Sequence, residues 1–91
     1  MTNVEQTAQT LKQSIENTIS GQHPGGCQEW IQLINGLGNP TNEKDRVLIE
    51  GLNNLAQAFT NTMNGKGAGD LTLWHQQLVQ TIANADYLAK S

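Results

Sequence analysis

Three residues in this chain carry the most chemical potential: the single cysteine, Cys27, and the two histidines, His23 and His75. A thiol beside an imidazole is the minimum for thiol nucleophilic catalysis. A thiol in the first turns of a helix is also made more acidic by the positive end of the dipole. If a helix starts at Pro24, Cys27 occupies such a position, with His23 one turn earlier and His75 arriving from another segment. Cys27 is therefore the reactive-thiol candidate, for a thiol-based enzyme or a redox sensor. The competing reading is a small buried apolar residue on the Trp30 face.

The same three side chains would give zinc three ligands and an open position. That geometry needs His23 and Cys27 on one helical face, and Pro24-Gly25-Gly26 lies between them. Proline and paired glycines break a helix, and HExxH, ExxH and CxxCH motifs are all missing. No metal and no other cofactor is expected. The stretch Gly65-Lys66-Gly67-Ala68-Gly69 before a helix start has the composition of a phosphate cradle. It lacks the GxxxxGK[ST] and GxGxxG spacings, and Asp70 would repel an anion at the helix start, so a flexible connection is the expectation. Glu43, Asp45 and Glu50, interleaved with Lys44 and Arg46, read as a solvated face rather than a converging acid–base pair. No catalytic residues are assigned.

The elements that must position these residues follow from apolar spacing. Val4, Ala8, Leu11, Ile15 and Ile19 recur at threes and fours, which predicts a helix over residues 3–20. Thr2 and Glu5 have capping-box spacing at its start, and Gly21 suits a left-handed stop at its end. A shorter helix is predicted over 26–37, with Trp30, Leu33, Ile34 and Leu37 on one face. The longest pattern runs from Thr41 to Asn64 through Val47, Leu48, Leu52, Leu55, Ala56, Phe59 and Met63. It is the helix on which the others are expected to pack, and it spans roughly 35 Å at about 1.5 Å per residue. Gly51 inside it reads as a notch for a bulky neighbour such as Trp30 or Trp74, or as a tolerated weak position. Asp70 caps a fourth helix over 71–90, with Leu71, Trp74, Leu78, Ile82, Ala85 and Leu88 or Ala89 as its stripe. The expected fold is all-α: a single domain over 1–91, an up-down-up-down four-helix bundle with a short second helix.

Composition narrows the partners. The net charge is -3 and the five basic residues are scattered, which disfavours nucleic acid. No helix has a basic face and no apolar run approaches the roughly 20 residues needed to span a bilayer, so no membrane role is expected. One thiol excludes an internal disulfide and fits a reducing compartment, and no charged-then-apolar leader is seen, so cytoplasmic residence is expected. Ten Asn, ten Gln and nine Thr outnumber thirteen charged side chains, leaving an exterior that tolerates close approach by another protein. The expected function is non-enzymatic: an adaptor, regulator or self-associating module that meets another protein or itself, for example as a homodimer. Trp30, Trp74, Val79 and Tyr87 form the expected contact patch, since Trp and Tyr are enriched at hot spots. A small-ligand or metal carrier in the bundle interior is the remaining alternative.

Overall fold

Thr2 begins the first helix as its spacing predicts. Its hydroxyl accepts from the Glu5 N–H at 3.2 Å, and the Glu5 carboxylate accepts from the Thr2 N–H at 3.4 Å. The computed structural model describes residues 2–22 and 25–90, and four helices account for their regular structure. They are α1 (Asn3–Ser20), α2 (Cys27–Asn35), α3 (Glu43–Met63) and α4 (Leu71–Lys90). Gly21, at φ 77°, ends α1 in the left-handed conformation. Asn42 caps α3 by accepting from the Asp45 N–H at 2.8 Å. Asp70 does the same for α4, accepting from the Leu73 N–H at 2.9 Å. The second helix is shorter than its apolar pattern, because Gly36 closes it with a bond to the Gln32 carbonyl.

Contacts at the helix ends fix the alternation. The start of α1 meets the start of α3 at Thr2 and Asp45, and the end of α1 meets the start of α4 at Glu16 and His75. The start of α3 meets the end of α4 at Lys44 and Asp86. The chain is thus an up-down-up-down bundle. The third helix packs against all three others, most extensively against α4.

The core takes residues from every helix: Val4, Ala8, Leu11 and Ile15; Trp30 and Ile34; Leu48, Leu52, Leu55 and Phe59; Trp74, Leu78 and Ala85. At one end, Trp30, Phe59 and Trp74 pack as an aromatic trio. Ring centroids lie 5.2 Å apart for Trp30–Phe59 and 4.9 Å for Phe59–Trp74, the latter edge-to-face. The Trp30 indole N–H donates to Ser14 Oγ at 2.9 Å and that of Trp74 to the Ala68 carbonyl at 3.2 Å. Each ring therefore buries its apolar body with its one polar atom satisfied. At the other end α1, α3 and α4 border a cavity of ≈ 180 Å³ lined by Ala8, Leu48, Ile82 and the polar Glu5, Gln9, Lys44 and Asp86.

Two stripe positions depart from expectation. Ile19 and Met63 are about half exposed, each in the last turn of its helix, where no neighbouring helix covers it. Leu88 and Ala89 are likewise at the surface.

Candidate functional site

The thiol begins α2, one residue after Gly26, as the sequence suggested. Burial pushes the Cys27 thiol above its ordinary 9.0, and a hydrogen bond with its own backbone opposes this only in part. A thiol held protonated is a poor nucleophile near neutral pH. His75 turns toward α1, its Nε2 3.2 Å from Glu16 Oε2, rather than toward Cys27. His23 lies outside the described residues. Among the described residues no three His, Cys, Asp or Glu side chains gather closely enough to hold a metal ion.

The glycine segment is built to pass over Trp74. Gly65, Gly67 and Gly69 all have positive φ. A Cβ on Gly69 would lie 3.0 Å from both Trp74 Nε1 and Leu73 Cδ2. In the first turn of α4 the Leu73 N–H donates to the Asp70 carboxylate.

The acidic group of α3 divides. Glu43 and Glu50 both pair with Arg46 in solvent, as a solvated face should. Asp45 does not belong to that face: it is 2 % exposed, and its carboxylate accepts from the Thr2 hydroxyl at 2.9 Å and the Thr41 hydroxyl at 3.5 Å. Lys44 also turns inward, reaching Glu5 of α1 at 3.2 Å and Asp86 of α4 at 3.0 Å. The hydrogen bond to Asp86, then that to Glu5, holds its ammonium pKa above the ordinary 10.5. These residues tie three helices together at the open end of the bundle. Every carboxylate and cation there has a partner within the chain, so the cluster acts as a clasp.

The expected contact patch loses its tryptophans. Trp30 and Trp74 are 1 % and 4 % exposed, because Ser14 and the glycine segment give their indoles interior partners. Val79 and Tyr87 are at the surface, at 38 % and 74 %. They do not form one patch. Val79 lies one turn from His75 and two from Asp86, on the flank toward α1, whereas Tyr87 points away from the core.

A different surface emerges on the opposite flank of α4. There α3 and α4 border a groove of ≈ 460 Å³ lined by Asn54, Leu73, Gln76, Gln77 and Gln80, with Gly51, Leu55 and Thr81 at its floor. Asn54, Leu73, Gln76, Gln77 and Gln80 are all exposed. From Gly51 to Ala85 the only Lys, Arg, Asp or Glu residues are Lys66 and Asp70, both in the connection at the hairpin tip. The amide richness noted in the sequence has a local use as well. Gln13 donates to Asn17, Gln57 to Asn61 and Gln80 to Asn84, each pair one turn apart on a different long helix. Such pairs support a helix by about 0.2–0.5 kcal/mol without adding charge.

No family model matches this chain, and neither does any curated protein or solved structure. No helix among the described residues is long and apolar enough to cross a membrane.

Two residues of the site were missed by residue type yet legible by register. Asp45 stands three residues before Leu48, on the same 45-48-52-55-59 stripe as the core. Thr81 stands four residues before Ala85, beside the buried stripe of α4.

Proposed function

We propose that this chain is a non-enzymatic helical module that docks a protein partner on the outer face of the α3–α4 hairpin. The observation that carries the reading is the near absence of charge over residues 51–85, on a face that also holds a groove of ≈ 460 Å³. Interface centres are depleted in charged side chains because a desolvated charge is far costlier than a desolvated amide. Leu73, 42 % exposed at the rim of the groove, adds apolar area that water leaves readily. The amides around it can still hydrogen-bond across a contact.

The test is position-specific photo-crosslinking in the cells that make the protein. A photoreactive side chain at Gln77 or Asn54 is expected to give a discrete protein adduct. The same group at Gln13 or Gln28, exposed on α1 and α2, is expected to give none. Equal labelling at all four positions, or none at any, defeats the docking reading.

A further inference from the structure

We infer that Asn64 is a site of self-modification, at which the chain converts its own carboxamide into aspartate and isoaspartate. Of the ten asparagines only Asn35 and Asn64 are followed by glycine. An asparagine carboxamide is open to attack by the main-chain nitrogen of the next residue, and glycine, lacking a Cβ, leaves that approach clear. The Gly65 nitrogen bonds to Asn64 Cγ and gives up its proton. The Cγ–NH2 bond breaks, and ammonia leaves with that proton. Water then adds to either carbonyl of the five-membered imide and opens a ring C–N bond. One opening gives aspartate. The other gives isoaspartate, whose main chain runs through the side-chain carbonyl. Nothing is oxidised or reduced, and water is the only co-reactant.

The fold selects between the two Asn-Gly steps. In both the attacking N–H is engaged: Gly36 donates to the Gln32 carbonyl at 3.1 Å, and Gly65 to that of Thr62 at 3.1 Å. The peptide must therefore turn before the ring can close. At Asn35 that turn is hindered on both sides, by Ile34, which is 3 % exposed, and by Leu37, which packs against the core. At Asn64 no such anchor exists. Residues 63–67 are all exposed, and Gly65 and Gly67 already have positive φ. The turn exchanges for water only the bonds from Gly65 to Thr62 and from Lys66 to Asn61, the latter 2.9 Å, and helix ends open at little cost.

Conversion at Asn64 reaches the aromatic end of the bundle. A new carboxylate there meets the negative pole of α3. Isoaspartate also lengthens the main chain by one methylene, which takes the Gly65 and Lys66 N–H groups out of register with their carbonyls. The same segment carries Ala68, whose N–H donates to Thr62 Oγ1 at 3.4 Å and whose carbonyl accepts from the Trp74 indole N–H at 3.2 Å. The product thus has a looser cover over Trp74.

The test ages the purified full chain at mildly alkaline pH, both folded and in guanidinium chloride, and maps its peptides by mass. Trypsin separates the two steps, since Asn35 falls in peptide 13–44 and Asn64 in peptide 47–66. Exchange of NH2 for OH marks conversion, and fragmentation across the 64–65 bond identifies isoaspartate. In the folded chain Asn64 is expected to convert at least ~10-fold faster than Asn35, and in denaturant the two rates are expected to converge. Asn64→Gln, which would have to close a less readily formed six-membered ring, is expected to stop conversion at that position. Tryptophan emission of the aged chain is expected to shift to the red, and that of the aged Asn64→Gln variant to stay in place. Equal folded rates, or a faster Asn35, overturn the selection by the fold. A folded chain unchanged at Asn64 while the denatured sample converts overturns the site itself. Emission unmoved after full conversion overturns the loosening over Trp74.

Discussion

Thr81 of α4 rests against the bare backbone of Gly51 in α3. A Cβ at Gly51 would lie 2.6 Å from Thr81 Oγ1 and 3.0 Å from its Cβ, and closer still to its methyl. The notch legible in the sequence is real, but its occupant is a threonine and not a tryptophan, because both indoles are engaged in the aromatic trio. Gly51→Ala should therefore destabilise the bundle by about 1–3 kcal/mol from overpacking, despite a helix-propensity gain of about 1 kcal/mol. Thr81→Ala in the same chain should recover part of that loss. Urea unfolding of both single variants and the double variant measures the coupling, and simple additivity would show that the two residues do not meet.

The buried Asp45 leads to a second expectation. Asp45→Ala removes the acceptor of the Thr2 hydroxyl and leaves that group without its partner. The expected loss is about 1–3 kcal/mol. Glu43→Ala, two residues earlier and solvated, should change stability by no more than about 0.5 kcal/mol. Denaturant midpoints compare them, and equal effects would contradict the inward placement of Asp45.

Local signals were the most legible. The bounds of α1 and α4 follow from Thr2, Glu5, Gly21 and Asp70, each of which acts on backbone within one turn. Helical period identified most of the core, since Leu48, Leu52, Leu55 and Phe59 must share a face whatever packs on it. What spacing cannot provide is which helix lies opposite a given residue. That hid the seat of Thr81 on Gly51 and the interior hydrogen bonds that let Trp30 and Trp74 sink out of the expected patch. The α3–α4 face was obscured for a related reason. Its amides were visible as composition, but their grouping around one groove depends on how two helices align. Asp45 differs, because its register with Leu48 was available and its charge masked it.

Trp30 and Ser14 supply a third test. The indole N–H donates to Ser14 Oγ at 2.9 Å inside the aromatic end of the bundle. Ser14→Ala leaves a buried donor unmet and should cost about 1–3 kcal/mol. Ser20→Ala, which removes an exposed hydroxyl, should stay within about 0.5 kcal/mol. Tryptophan emission during urea titration follows both. A Ser14→Ala midpoint matching the parent would mean that the indole finds another acceptor.

The last prediction concerns alkaline pH. Lys44 binds its proton more tightly in the folded chain than in the unfolded one, through Asp86 and then Glu5. Its contribution is fully present below the ordinary 10.5 and is lost as pH rises through the higher folded value. Cys27 acts in the same direction: burial keeps the folded thiol protonated above 9.0, where the unfolded thiol already ionises, so deprotonation favours unfolding. Melting temperature should therefore fall in two overlapping steps, one setting in above pH 9.0 and the other above pH 10.5. Cys27→Ser should remove the lower step and Lys44→Met the upper one. Thermal melts of the three proteins across that range decide the matter. Parallel declines in all three would show that neither group changes its proton affinity on folding.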